Sequence, residues 1–136
     1  MKRCFVDTSA FFALMDRDDA WHGPAVDFAR EAAKDRCRLV TSDYVIDEAL
    51  TLARMRLGHP AAIRFGEKVQ SSNWLEVHEV TTSVRDAAWD VFVRFSDQDF
   101  SFTDCTSFAL MRETGILEAF TFDRRHFGAA GFTPVP

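Results

Sequence analysis

Four carboxylates in this chain stand where a solvated acid is not expected. Asp7 lies in CFVDTSAFFAL (Cys4 to Leu14), walled by Phe5, Val6, Phe11 and Phe12, and a charge so placed needs a partner, a hydrogen-bond set or a metal. Glu48, in TSDYVIDEALTLAR, has Tyr44, Val45 and Leu52 as its i−4, i−3 and i+4 neighbours, so it shares a largely apolar helical stripe. Its neighbour Asp47 points about 100° away and is the weaker candidate. Asp104 begins a helical pattern in SFTDCTSF, and Asp123 closes the strand-like AFTFD. Carboxylates with no cysteine or histidine cluster beside them suit hard ions, Mg²⁺ or Mn²⁺ rather than Zn²⁺. Such a site polarises a phosphoryl oxygen and lowers the pKa of a bound water, and phosphodiester hydrolysis is the reaction it suits.

Taken singly, each acid also has an ordinary explanation. Asp7 alone can be a helix N-cap, Asp104 a first-turn acid behind a Thr103 cap, Asp123 a turn residue and Glu48 the partner of an arginine. Those explanations leave out the coincidence of four acids in separate segments, each falling where one side of a sheet would collect it. Without cations, their mutual repulsion is destabilising.

The elements that must position them follow from periodicity. RCFV (Arg3 to Val6) and RLV (Arg38 to Val40) read as buried parallel strands. WLEVHEV (Trp74 to Val80) alternates like a more exposed edge strand, and LEAFTF (Leu117 to Phe122) and a piece near GFTPV (Gly131 to Val135) bring the expected strands to five. Between them the period becomes helical: Val84, Ala87, Ala88, Val91, Phe92 and Phe95 follow the capping hydroxyls of Thr81 to Ser83. Further helices are predicted over Pro24 to Lys34, Asp43 to Leu57, Pro60 to Gln70 and Asp104 to Glu113, with Gly58 and Gly115 as stops. Strands separated by helices imply a mainly parallel sheet in a three-layer α/β/α sandwich. In such sheets ligands gather outside the carboxyl ends of the strands, where all four acids can meet.

With 136 residues, 47% of them hydrophobic, the chain is predicted to form a single domain, 1–136, around a substantial core. Cys4, Cys37 and Cys105 are odd in number and lack disulfide or zinc spacing, which favours a reducing, cytoplasmic setting. The MKR start imitates a signal peptide, but Asp7 interrupts the apolar run, and no later segment has the length of a membrane span. A net charge of −5 argues against a general nucleic-acid coat. Bound cations would invert the local sign, so a phosphate can still be welcome. The lysines, Lys2, Lys34 and Lys68, do not close a late strand as a phosphoacceptor receiver requires. Ser9 stands where a haloacid-dehalogenase-type phosphohydrolase would carry its second aspartate.

Four landmarks, VDTSA with Asp7, Glu48 in the helix after the second strand, SFTDCTSFALM with Asp104 and TFDRRHF with Asp123, make the chain resemble the PIN-domain family, specifically its VapC-type ribonuclease toxins. The resemblance covers nearly the whole length and rests on the pairing of SFTDC with the later TFDRRHF. It implies sheet order 3-2-1-4-5, a Mg²⁺- or Mn²⁺-dependent endoribonuclease, a homodimer, and a cognate antitoxin whose tail blocks the cleft. Carried over to this sequence, Asp7, Glu48, Asp104 and Asp123 become the catalytic metal and water site. Thr8 or Ser9 would meet a metal-bound water or a substrate phosphate, or else start the following helix. Asp99 would add an outer charge or sit in solvent. RNA affinity would come from basic groups such as Arg54, Arg56, Arg64 and Lys68, and from Arg124, Arg125 and His126. The competing expectation is a PIN-like interaction module that keeps the fold without catalysis.

Overall fold

Cys4, Phe5 and Val6 are buried in succession, so the first strand is covered on both faces and can only be an inner strand of a layered sheet. The computed structural model describes residues 1–136. Strand β1 (Arg3–Val6) is followed by helices α1 (Thr8–Met15) and α2 (His22–Lys34), then β2 (Arg38–Ser42), α3 (Asp43–Leu57), α4 (His59–Ser71) and β3 (Leu75–His78). The second half comprises α5 (Thr82–Arg94), α6 (Phe102–Thr114), β4 (Glu118–Phe120), α7 (Arg124–Ala129) and β5 (Thr133–Val135). The sheet order is β3-β2-β1-β4-β5, and all four pairings are parallel. This is the expected α/β sandwich of order 3-2-1-4-5.

Local signals account for where the helices begin and end. Ser42 caps α3 by accepting from the Val45 amide at 3.1 Å, and Gly58 closes it at φ 101°, a conformation that glycine enters without strain. Thr81 caps α5 in the same way. At α6 the cap is Ser101, not the expected Thr103: Ser101 and Asp104 exchange side-chain and backbone hydrogen bonds in a capping box. The helix therefore starts two residues earlier than the spacing suggested, with Asp104 at its third position.

The apolar stripe of α5 is narrower than predicted. Val84, Ala88 and Val91 are buried, whereas Ala87 and Phe92 are exposed. The reason is that α5 packs chiefly along α6, and one neighbouring helix covers only part of a helical face. Inside, Phe108 of α6 meets Phe100 and Phe127 edge-on, each at 5.0 Å between ring centroids. Phe28 of α2 packs on Phe120 of β4 at 4.5 Å.

Register brings the centre of the sheet to a common edge. Val6 is level with Phe120, and the Asp7 amide extends the ladder by donating to the Phe120 carbonyl at 3.0 Å. Asp7 and Thr121 thus leave adjacent strands side by side at the carboxyl end.

Candidate active site at the carboxyl edge of the sheet

Asp7 is 5% exposed and occupies the N-cap position of α1, yet its side chain caps no amide. Its Oδ2 instead accepts two hydroxyls, Ser9 Oγ at 2.9 Å and Thr121 Oγ1 at 2.9 Å. Each hydroxyl carries one proton. With both protons directed to Asp7, their oxygens accept from backbone amides, Ser9 from Phe122 and Thr121 from Asp123, each at 2.9 Å. This clamp positions the carboxylate without neutralising it. Burial pushes Asp7 up to about 6, the Asp104 charge adds to the rise, and the two hydroxyls pull the other way.

Asp104 is the next acid along. Its side chain is only 13% exposed; burial raises its pKa, the Ser101 amide opposes that, and the charge of Asp123 raises it further. Asp123 caps α7 by accepting from the His126 amide at 3.3 Å, and its Oδ2 lies 2.7 Å from His126 Nδ1. Asp104 Oδ2 lies 3.7 Å from the same nitrogen. One ligand atom from each of Asp104, Asp123 and His126 falls within 4.8 Å of the others, a group able to hold a metal ion.

His126 is the member that the sequence hid. It reads there as the end of a basic run, but the single turn of α7 returns it to its own N-cap, Asp123, with Phe100 edge-on behind the ring at 5.4 Å. Its Nε2 is 2.5 Å from Asp99 Oδ1, which also pairs with Arg125 at 2.9 Å. Burial alone would depress the imidazole; hydrogen bonds to Asp99 and Asp123 outweigh it and lift the pKa above the ordinary value. The available signal was Asp-x-x-His, an i, i+3 pair behind a capping aspartate. The same contact with His126 lowers the pKa of Asp99.

The other named residues are distributed differently. Glu48 is half-buried on α3, a helix that packs against both α1 and α6, but it is not part of the close group of Asp104, Asp123 and His126. Thr8 Oγ1 is buried without a hydrogen-bond partner, while the Ser9 hydroxyl is engaged by Asp7. Arg124 donates to the Pro136 carbonyl at 2.6 Å. Arg56 lies over the Phe12 ring at 5.6 Å, so part of this side chain serves packing. Burial raises Cys105 to about 11, which keeps the thiol beside Asp104 protonated at neutral pH.

Fold and site together define a parallel α/β protein whose sheet gathers carboxylates at one carboxyl edge. The chain belongs to the PIN domain family, whose sequence pattern matches residues 4–132. It is 40% identical over 131 residues to the 23S rRNA-specific endonuclease VapC20 of Mycobacterium tuberculosis, covering 96% of each chain. The crystal structure of Mycobacterium tuberculosis VapC20, described as a sarcin-ricin loop cleaving toxin, is similar with a TM-score of 0.86 at 39% identity, again over 96% of each chain. VapBC2 from Rickettsia felis, solved bound to a DNA fragment from its promoter, shares the fold with a TM-score of 0.74 at 8% identity, over 97% of this chain and 96% of that one. No helix is long and apolar enough to cross a membrane.

Proposed function

We propose that this chain is a divalent-metal-dependent endoribonuclease of the VapC type, the toxin of a toxin–antitoxin pair, and that it cleaves 23S rRNA at the sarcin-ricin loop. The observation that carries the reading is the run of neighbouring acids Asp7, Asp104 and Asp123 at the carboxyl edge, two of them with raised pKa values. A run of like charges is costly, and hard oxygen donors in a partly buried setting fit Mg²⁺ or Mn²⁺. Asp7, Asp104 and Asp123 would hold the ion, and Glu48 of α3 would be the fourth acid. When bound, the ion supplies Lewis-acid polarisation of the scissile phosphate and favours ionisation of water at neutral pH.

The chain's own residues do the rest. Ser9 and Thr121 fix the Asp7 carboxylate in one orientation. The capping box does the same for Asp104, so that the acids meet the substrate preorganised. His126, held between Asp99 and Asp123, is the imidazole in contact with this acidic edge, and their hydrogen bonds favour its protonated form. The likeness to VapC20 supports ribosomal RNA as substrate, and the fold shared with VapBC2 is consistent with an antitoxin partner. Dimerisation and a cytoplasmic setting belong to the same reading.

The test is incubation of the purified protein with ribosomes and with isolated 23S rRNA, followed by mapping of RNA ends. Cleavage within one loop is expected in Mg²⁺ or Mn²⁺, and none in EDTA. Undiminished cutting in EDTA, or a folded protein that cuts no RNA in either metal, would sink the proposal.

A further inference from the structure

We infer that Trp21, backed by Phe122, is a stacking platform for an unpaired base of the RNA beside the cleaved phosphodiester, an inference that rests on the ribonuclease reading above. Trp21 is 52% exposed, yet its ring lies nearly parallel to that of Phe122, with centroids 5.3 Å apart and planes 13° apart. Phe122 in turn meets Phe120 edge-on at 6.1 Å, and Phe120 is fully buried. The exposed indole is therefore the outermost ring of an aromatic series rooted in the core.

Its backbone is equally fixed. The Trp21 amide donates to Asp19 Oδ1 at 2.8 Å, the Trp21 carbonyl accepts from Ala25 at 2.9 Å, and His22 Nδ1 is 2.8 Å from the Ala13 carbonyl. An aromatic held this way loses little freedom on binding, which makes its contact area effective.

Two observations commit the occupant to a nucleobase. The first is place: Phe122 lies between Thr121, which holds Asp7, and Asp123, and its amide donates to the Ser9 hydroxyl of the same clamp. The segment that carries Phe122 therefore runs through the acidic site, and a phosphodiester held there would have a flanking nucleotide beside that segment. The second is charge. The segment before Trp21 carries Asp16, Asp18 and Asp19, and two of these acids accept loop amides. Such a segment repels a phosphate but not the face of a base, and aromatic stacking needs no cation.

The test uses an RNA hairpin carrying the sarcin-ricin loop, with binding measured in EDTA and cleavage in Mg²⁺. Trp21→Ala is expected to weaken binding roughly 5- to 150-fold, the usual range for loss of one stacked base, and to raise KM more than it lowers kcat. Trp21→Phe keeps a ring on Phe122 and should restore most of the affinity. Hairpins with an abasic nucleotide at each loop position supply the decisive readout: one position should weaken wild type but not Trp21→Ala. Thermal unfolding of both variants separates this effect from a folding defect. If wild type cuts the hairpin and Trp21→Ala binds and cuts equally well, or if every abasic position affects both proteins alike, the platform is wrong while the nuclease stands. A Trp21→Ala protein impaired only in holding a protein partner overturns it too. Wild type that neither binds nor cuts RNA removes the ribonuclease reading itself.

Discussion

The two edges of the sheet treat charge in opposite ways. At the amino edge, Lys2 pairs with Glu118 at 3.2 Å, and Arg38 with Glu76 at 3.4 Å. There Arg3 donates to the Thr114 carbonyl, and Arg38 to that of Asn73 at 2.9 Å. At the carboxyl edge Asp7, Asp104 and Asp123 lie in succession, with no lysine or arginine paired to them and the His126 imidazole beside two of them. The first edge is self-sufficient, and its exposed ion pairs contribute little to stability. The second is costly when left alone, and that cost marks it as the edge built for something the chain does not itself supply.

The contrast between the two edges depends most on the acids. Asp104→Asn and Asp7→Asn are each expected to reduce RNA cleavage by about 10²–10⁴-fold, the scale of losing a preorganised electrostatic group, with far-UV circular dichroism unchanged. Near-normal turnover in either would reduce the carboxyl edge to a structural feature.

Stability should respond next. Asp7 has a folded-state pKa of about 6 against about 3.9 when unfolded, so between those values the folded form holds more protons. The Asp7 contribution to stability in EDTA should therefore fall as pH rises from about 4 to 6, a loss of up to about 3 kcal/mol, and the raised His126 adds a further decline above its ordinary pKa. Asp7→Asn should recover most of the Asp7 loss at pH 7 and nothing at pH 3.5; a flat urea-unfolding profile across this range would contradict the assignment. Mg²⁺ acts in the same direction: at a hundred times its Kd it should stabilise wild type by about 2.7 kcal/mol. A thermal shift of equal size in Asp104→Asn would separate metal binding from the cluster. At the amino edge, Lys2→Ala should leave the melting temperature nearly unchanged and cleavage intact, because the pair with Glu118 is exposed and screened. A marked drop in either would mean that the edges differ less than their geometry implies.

Much of the frame was legible because its signals are local. Asp43 to Leu57 is a helix with the predicted bounds because Ser42 and Gly58 punctuate it, and Arg3 to Val6 is a strand because three consecutive apolar residues follow its arginine. Sheet order came through the family likeness rather than periodicity, since strand neighbours are not encoded in spacing. Asp7, Asp104 and Asp123 could be singled out from their apolar or strand-end settings. The contacts that organise them were hidden for different reasons. Thr121 reaches Asp7 across the sheet, His126 depends on one turn of a six-residue helix, and Ser101 displaced Thr103 because a capping box satisfies two groups at once. Trp21 lay in an acidic, turn-rich stretch where nothing local signals a partner 101 residues later at Phe122.

The hydroxyl clamp on Asp7 has a consequence for biosynthesis. Thr121 follows Asp7 by 114 residues, and ribosomes add about 5–20 residues per second, so roughly 6–23 s separate the two ends of one hydrogen bond. Until that interval has passed, neither the clamp nor the fourth strand beside the first exists, and Asp123 has not been made. The acidic edge is thus absent from the nascent chain until nearly all of its sequence has been translated.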